Sequence, residues 1–164
     1  MTPPGSVIEV ASIHRIPLYD GDREAADGVP ADVQALKDLI AGADGLLIAT
    51  PEYNNSIPGV LKNAVDWLTR PPSDIKRVFA GRPVALMGAT PGTGATSLAQ
   101  AAWLPVLRTL GTNPWFGMRL GVPNAGKVFD AEGRLIDDAI RARLQAFVNG
   151  FVEFAARSRA LEAP

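Results

Sequence analysis

The chain has 164 residues, of which 47 % are hydrophobic and 20 % charged, and its formal net charge is −1. This length fits a single domain with one hydrophobic core. The near-neutral charge argues against a surface that holds a nucleic-acid backbone. Because cysteine is absent, disulfides, thiolate nucleophiles, iron–sulfur clusters and cysteine zinc sites are excluded.

The chain contains one histidine and no long apolar run. The single histidine, His14, cannot build a multi-histidine metal site, and we predict no metal site. No apolar stretch reaches the ~20 residues that span a bilayer, and the first residues lack the features of a signal peptide. We therefore expect a cytoplasmic protein.

The first third of the chain is predicted to form a strand, a loop, a helix and a second strand. Residues 7–10 form an apolar run that predicts a short strand, and residues 17–30 are a polar loop. Apolar residues at helical spacing predict a helix over residues 33–42. The continuous apolar run 45–50 predicts a strand buried on both faces, as in a parallel sheet.

A helix is predicted over residues 58–70, because Pro58 suits the first turn of a helix. Leu61, Val65 and Leu68 form a core-facing side. Asn63, Trp67 and Arg70 recur on another side. An aromatic and an arginine on a non-core side favour an interface between subunits; the alternative is a half-exposed tryptophan at the edge of the core. Residues 71–82 are predicted to be a loop.

The second half continues the alternation. We predict a strand over residues 83–90, a helix over 97–110, a weak strand over 115–118, a small hairpin around 130–133 and a last helix with its apolar face between residues 140 and 151. Strands that alternate with helices indicate a doubly wound parallel sheet in one domain spanning residues 1–164.

Two loops at strand ends carry unusual sequence, at residues 50–59 and 89–94. Ligands of open α/β sheets bind beyond the carboxyl ends of the strands. Small residues, prolines and amides in such loops suit a flat heteroaromatic ring, although they also occur in ordinary crossover turns. Neither loop contains a nucleophile–base pair, so we assign no catalytic side chain and expect the chemistry to belong to a cofactor.

The run PEYNNSIPGVLKNAVDWLTR, residues 51–70, closely resembles the signature of the NADPH-dependent FMN reductase family. That family includes bacterial quinone, chromate and azo-dye reductases. The motifs PEYN, SxPG, LKNA and DW occur in order and at the family's spacing. The resemblance extends from about Val7 to the C-terminal helix.

The resemblance implies a flavodoxin-like fold, FMN as cofactor, NADPH or NADH as electron donor, and a homodimer or homotetramer. The electron acceptor would be a quinone, an azo compound, a metal oxyanion or free flavin. The residues that it places along the flavin ring are Pro51, Glu52, Tyr53, Asn54, Thr90, Pro91 and Gly92.

One departure from the family pattern sets a further expectation. Family members open with a strand, a G-S-x-R-x-x-S type of loop that holds the FMN phosphate, and a helix. No such motif precedes Val7. We therefore expect a flavodoxin-like sheet truncated at its N-terminus, without the first central strand and first helix, and weak binding of FMN. The alternatives are a degenerate, non-catalytic subunit that no longer holds FMN, and an electron-carrier flavodoxin, which the near-neutral charge disfavours.

Overall fold

The computed structural model describes residues 2–162, except for the side chains of residues 161 and 162. Its helices are α1 (Gly21–Asp27), α2 (Ala31–Gly42), α3 (Gly59–Leu68), α4 (Asp74–Phe79), α5 (Ser97–Thr109), α6 (Ala125–Val128) and α7 (Asp138–Glu162). Its strands are β1 (Leu46–Ala49), β2 (Pro83–Ala89), β3 (Asn113–Pro114) and β4 (Leu120–Val122).

The four strands form one parallel sheet with β2 at its centre. On one side β2 pairs with β1, where Leu46 lies opposite Val84. On the other side it pairs with β3 near its start and with β4 near its end, where Gly88 lies opposite Gly121. The predicted parallel α/β sheet is therefore confirmed.

Helices cover both faces of this sheet. Since alternate strand residues point to opposite sides, each strand contributes side chains to both layers. Ile48 and Val84 belong to a core cluster that contains residues of α2, α3, α4 and α5. Ala85 belongs to a second cluster with residues of α7 such as Phe147 and Phe151. The sheet is thus held between two apolar layers, as a doubly wound fold requires.

Two strand predictions are wrong. Residues 7–10 pair with no described strand, and the side chains of Val7 and Val10 are 92 % exposed. Apolar residues alone do not make a strand, because a ladder needs a neighbour. Residues 115–118 are the irregular segment between β3 and β4. Trp115 there packs against Phe147 of α7, so its apolar character reflects core packing.

Two helices lie where loops were expected. Helix α1 falls within the polar segment 17–30, and Asp20 caps it by accepting hydrogen bonds from the N–H groups of Asp22 and Arg23. Helix α4 falls within residues 71–82. Both are short, and α1 has no buried residue, so hydrophobic periodicity gave no signal. The expected hairpin is present as an antiparallel bridge between Phe129 and Leu135.

The second side of α3 binds the chain's own N-terminal segment, so Trp67 is neither exposed for the predicted interface nor half-exposed at the edge of the core. Trp67 is buried, and its Nε1–H donates to the carbonyl of Pro17 at 2.9 Å. Asn63 Nδ2 donates to the same carbonyl at 2.8 Å. Arg70 forms an ion pair with Glu24 of α1, and this hydrogen bond lowers the pKa of the Glu24 carboxyl below its usual value.

A buried lysine joins α2 to the start of α4. The Lys37 side chain has no exposed surface, and its Nζ donates to the carbonyl of Arg70 at 2.7 Å and to Asp74 Oδ2 at 2.6 Å. A charge can be buried in this way only if it is paired and hydrogen-bonded. Sequence reasoning missed this lysine because its partners lie 33 and 37 residues further along the chain.

We predict that Asp74→Asn lowers the urea midpoint of unfolding without changing the m-value. The amide keeps a hydrogen-bond acceptor but leaves the Lys37 ammonium buried without its counter-ion. Asp38→Asn is the matched control, because Asp38 pairs with Arg77 at 2.8 Å at an exposed site, where ion pairs contribute little. Equal midpoints for the two variants would contradict the prediction.

The same pair predicts a pH dependence. The hydrogen bond from Lys37 lowers the pKa of the Asp74 carboxyl. A lowered pKa contributes stability above the unfolded value of about 3.9, and this contribution is lost as pH falls through the lower folded value. The stability difference between wild type and Asp74→Asn should therefore stay constant above about pH 5 and shrink steadily below about pH 4. Urea titrations at several pH values would measure it.

Candidate functional site

Three loops meet at the carboxyl edge of the sheet, after β1, β2 and β4. Hydrogen bonds join them in sequence along this edge. Thr50 N–H donates to the carbonyl of Met87 at 2.8 Å, and Thr90 N–H donates to that of Val122 at 2.9 Å. Asn124 N–H donates to the carbonyl of Gly92, also at 2.9 Å. The loops therefore form one continuous rim.

The loop after β1 contains a tight turn that exposes an aromatic ring. Tyr53 and Ser56 exchange backbone hydrogen bonds of 3.1 and 3.0 Å. Asn54 and Asn55 between them have φ angles of 49° and 62°, a conformation that asparagine tolerates better than most residues. The Tyr53 side chain is 54 % exposed on this turn. The turn thus presents a ring and two amides to solvent at the rim.

The base of this loop is fixed to α5 by a buried hydroxyl. Thr50 is buried, and its Oγ1 donates to the carbonyl of Pro51 at 2.9 Å and accepts from Trp103 Nε1 at 3.1 Å. Trp103 belongs to α5 and is itself fully buried. The loop after β1 therefore leaves the sheet from a fixed point.

Glycines in β2 and β4 let the loop after β2 lie directly over the strand ends. A Cβ at Gly88 would lie 2.3 Å from the carbonyl oxygen of Thr50 and 2.4 Å from Thr96 Oγ1. A Cβ at Gly121 would lie 2.2 Å from the carbonyl oxygen of Ala95. Neither approach leaves room for a side chain, so both positions require glycine. A glycine inside a strand pattern is the sequence signal for such a close backbone approach.

Backbone strain is concentrated at this rim. Ala95 and Thr96 have φ angles of 50° and 56°, in a region that β-branched residues rarely adopt. In the described part of the chain, the non-glycine residues with positive φ all lie in the three loops: Asn54, Asn55, Ala95, Thr96 and Asn124. Such conformations persist where the surrounding structure holds them, and they cluster at ligand sites.

The structure brings the residues of the two candidate loops to the same rim. Tyr53 and Asn54 are exposed, as are Pro51, Pro91 and Gly92, whereas Thr90 is half-buried. Glu52 is also half-buried, and its carboxylate accepts hydrogen bonds from the first turn of α5. Sequence reasoning included Thr50 in the first loop without its contact to α5, and it missed Trp103, Gly88 and Gly121, which support the loops from beneath.

The rim carries N–H groups that are free to bind a ligand. Within residues 2–162, no hydrogen bond engages the backbone N–H of Asn54, Thr93 or Gly94, and all three residues are exposed. Such groups can donate to the acceptor atoms on the edge of an isoalloxazine ring. The exposed face of Tyr53 can pack beside it. These residues could therefore hold the ring of FMN.

Other site chemistries find little support in the described residues. His14 is exposed in the N-terminal segment, where its backbone N–H donates to Ser12 Oγ at 3.1 Å. Among residues 2–162, no cluster of histidine and acidic side chains could hold a metal ion. In the same part of the chain, no helix is long and apolar enough to cross a membrane.

Comparison with known proteins gives three concordant results. The family model of the NADPH-dependent FMN reductases matches residues 5–127. The NAD(P)H-dependent FMN reductase PA1204 of Pseudomonas aeruginosa is 43 % identical over 145 residues, which are 88 % of this chain and 76 % of that protein. A quinone reductase of Escherichia coli is 38 % identical over 150 residues, covering 89 % and 77 %.

A solved structure is also similar. FerB, a flavoenzyme NAD(P)H:(acceptor) oxidoreductase from Paracoccus denitrificans, superposes with a TM-score of 0.77 at 35 % sequence identity. The match covers 89 % of this chain and 78 % of FerB. The sequence motifs, the parallel sheet and these comparisons agree, and the chain belongs to the NADPH-dependent FMN reductase family, flavodoxin-like oxidoreductases whose cofactors are FMN and NAD(P)H.

Proposed function

We propose that this protein uses NAD(P)H and FMN to reduce a quinone. The observation that supports this most directly is the rim of joined loops with exposed, unbonded N–H groups at Asn54, Thr93 and Gly94. Quinones come first because the relatives include a quinone reductase of Escherichia coli and a 2-hydroxy-1,4-benzoquinone reductase of a Burkholderia species. Azo compounds, metal oxyanions and free flavin are the other candidate acceptors.

In this proposal the protein binds and orients, and FMN when bound supplies the acceptance and release of hydride. The residues that would line the ring are Pro51, Glu52, Tyr53, Asn54, Thr90, Pro91 and Gly92. Glu52 would contribute through its backbone, since its carboxylate is bonded to α5. Tyr53 and Asn54 would contact the ring with their side chains, and the half-buried Thr90 would set the position of the second loop.

We propose further that residues 1–164 act as a single cytoplasmic domain whose partners are small molecules and copies of itself. The side of α3 that contains Trp67 is covered by the chain's own residues 17–24. The start of α3 remains available. Val60 there is 58 % exposed, and Tyr53 on the preceding turn is 54 % exposed. A contact between copies of this chain would use this end of the helix.

We expect the purified protein, supplied with FMN, to oxidise NADPH or NADH when a benzoquinone is added, with no partner reductase. Parallel assays with an azo dye, chromate and free FMN would rank the acceptors by kcat/KM. Loss of nicotinamide absorbance would measure each rate. A protein that shows no flavin spectrum after FMN is added and no turnover with any acceptor would instead fit a non-catalytic subunit.

We expect Tyr53→Ala to weaken FMN binding about three- to tenfold, the range that loss of one aromatic contact predicts. Asn54→Ala should also weaken it. Quenching of flavin fluorescence during titration measures the affinity. Phe116→Ala is the matched control, because Phe116 is an aromatic with 72 % exposure, set between β3 and β4 away from the rim. Unchanged affinity in both rim variants would remove the site assignment.

We expect Val60→Glu to shift the protein toward monomer, because it puts a charge into an apolar contact without a partner. An acidic residue in the first turn of α3 does not disfavour the helix itself. Light scattering measures the mass. Ile136→Glu, at a similarly exposed apolar residue (57 %), should leave the mass unchanged. The same mass for wild type and Val60→Glu would contradict this interface.

A further inference from the structure

We propose that Glu52 is a positioning residue, which fixes the distance between the two loops that would hold the flavin ring. The inference rests on the proposed function for its ligand and on the geometry for its mechanism. The Glu52 carboxylate leaves the loop after β1 and reaches the first turn of α5. Its Oε2 accepts from the backbone N–H of Leu98 at 2.9 Å and from that of Ala99 at 3.1 Å.

Helix α5 needs this external carboxylate because its own N-cap residue does not cap it. Thr96 occupies the N-cap position, with φ 56° and ψ 25°, and makes no side-chain bond to the helix N–H groups. Its Oγ1 instead accepts from Gln100 Nε2 at 2.9 Å. Ordinary N-cap threonines use β-region backbone and bond the second or third N–H of the helix. Glu52 fills this role from 46 residues away.

The carboxylate also suits the helix end electrostatically. Helix N-termini carry a partial positive charge, and hydrogen bonds to an ionised acceptor are stronger than neutral ones. The bond therefore ties the backbone before Tyr53 to the backbone after Gly94. Glu52 Oε1 lies 3.6 Å from where a Cβ of Gly94 would stand, so this carboxylate fills the space between the loops.

The unbonded N–H groups lie on both sides of this link. Asn54 follows Glu52 by two residues, while Thr93 and Gly94 precede the α5 N-terminus. Their relative position depends on how far α5 stands from the loop after β1. The Glu52 carboxylate sets that distance through its two bonds to the first turn of α5. We therefore assign it a function in holding the ring-binding groups in register, and not a contact with the ring.

The test compares Glu52→Ala and Glu52→Gln with a matched control. Asp20→Ala is that control, because Asp20 is also a carboxylate that accepts two N–H groups at a helix start, in α1. Amide hydrogen exchange by NMR on the protein without flavin gives the first readout. We expect exchange at Leu98 and Ala99 to be about five- to tenfold faster in Glu52→Ala, with shifted amide resonances at Asn54 and Thr93.

Flavin titration gives the second readout. We expect about tenfold weaker FMN binding in Glu52→Ala, and recovery of most of that loss in Glu52→Gln, whose amide oxygen can accept both N–H groups. Asp20→Ala should leave FMN affinity at the wild-type value, even where it lowers thermal stability.

Several outcomes would overturn the proposal. Unchanged exchange at Leu98 and Ala99 in Glu52→Ala would show that Glu52 does not cap α5. Wild-type FMN affinity in Glu52→Ala, or an equal loss in Asp20→Ala, would show that the cap does not position the ring site. FMN binding that is as weak in Glu52→Gln as in Glu52→Ala would indicate that the charge of Glu52 contacts the flavin directly. Failure of the proposed function can be told apart from failure of this proposal. In that case the wild type would bind no FMN, while the exchange rates would still show whether Glu52 caps α5.

Discussion

The architecture of the candidate site depends on the parallel pairing of β2 with every other strand of the sheet. β1 lies on one side of it, and β3 and β4 share the other. Parallel strands end at the same edge, so the segments that follow β1, β2 and β4 emerge together. Gly88 and Gly121, paired across β2 and β4, then allow the loop after β2 to fold back over this edge. Without that close approach, Thr96 could not sit where it begins α5.

This packing forces an unusual start on α5, and the rest of the rim compensates. The left-handed conformation of Thr96 turns its hydroxyl toward Gln100, so two helix N–H groups lose their local acceptor. Glu52 replaces that acceptor, and Trp103 in the same helix binds Thr50 at the base of the other loop. Two links, one at each end of residues 50–52, thus connect α5 to the loop after β1. Strain in one loop is balanced by hydrogen bonds from the other.

Local sequence signals predicted the parts of the fold that depend on local chemistry. The apolar runs identified β1 and β2, and apolar spacing with Pro58 and Gly42 identified α3 and α2. Prolines, glycines and amides at strand ends identified both candidate loops, and the family resemblance assigned their residues to a flavin ring. Non-local partners could not be predicted in this way. Residues 7–10 have the pattern of a strand but no neighbouring strand to pair with. The spacing of Trp67 placed it on an outer side of its helix, yet its ring binds the carbonyl of Pro17, 50 residues away.

The charge at the start of α5 bears on where a bound phosphate could lie. The N-terminus of an α-helix is a general anion site, because its N–H groups and dipole both favour negative charge. At α5 that site is already filled by the Glu52 carboxylate, bonded to Leu98 and Ala99. A phosphate brought to the same N–H groups would meet a like charge within hydrogen-bonding distance of them. The first turn of α5 is therefore a poor place for a further anion, and in the proposed site the phosphate of FMN would be held by other groups.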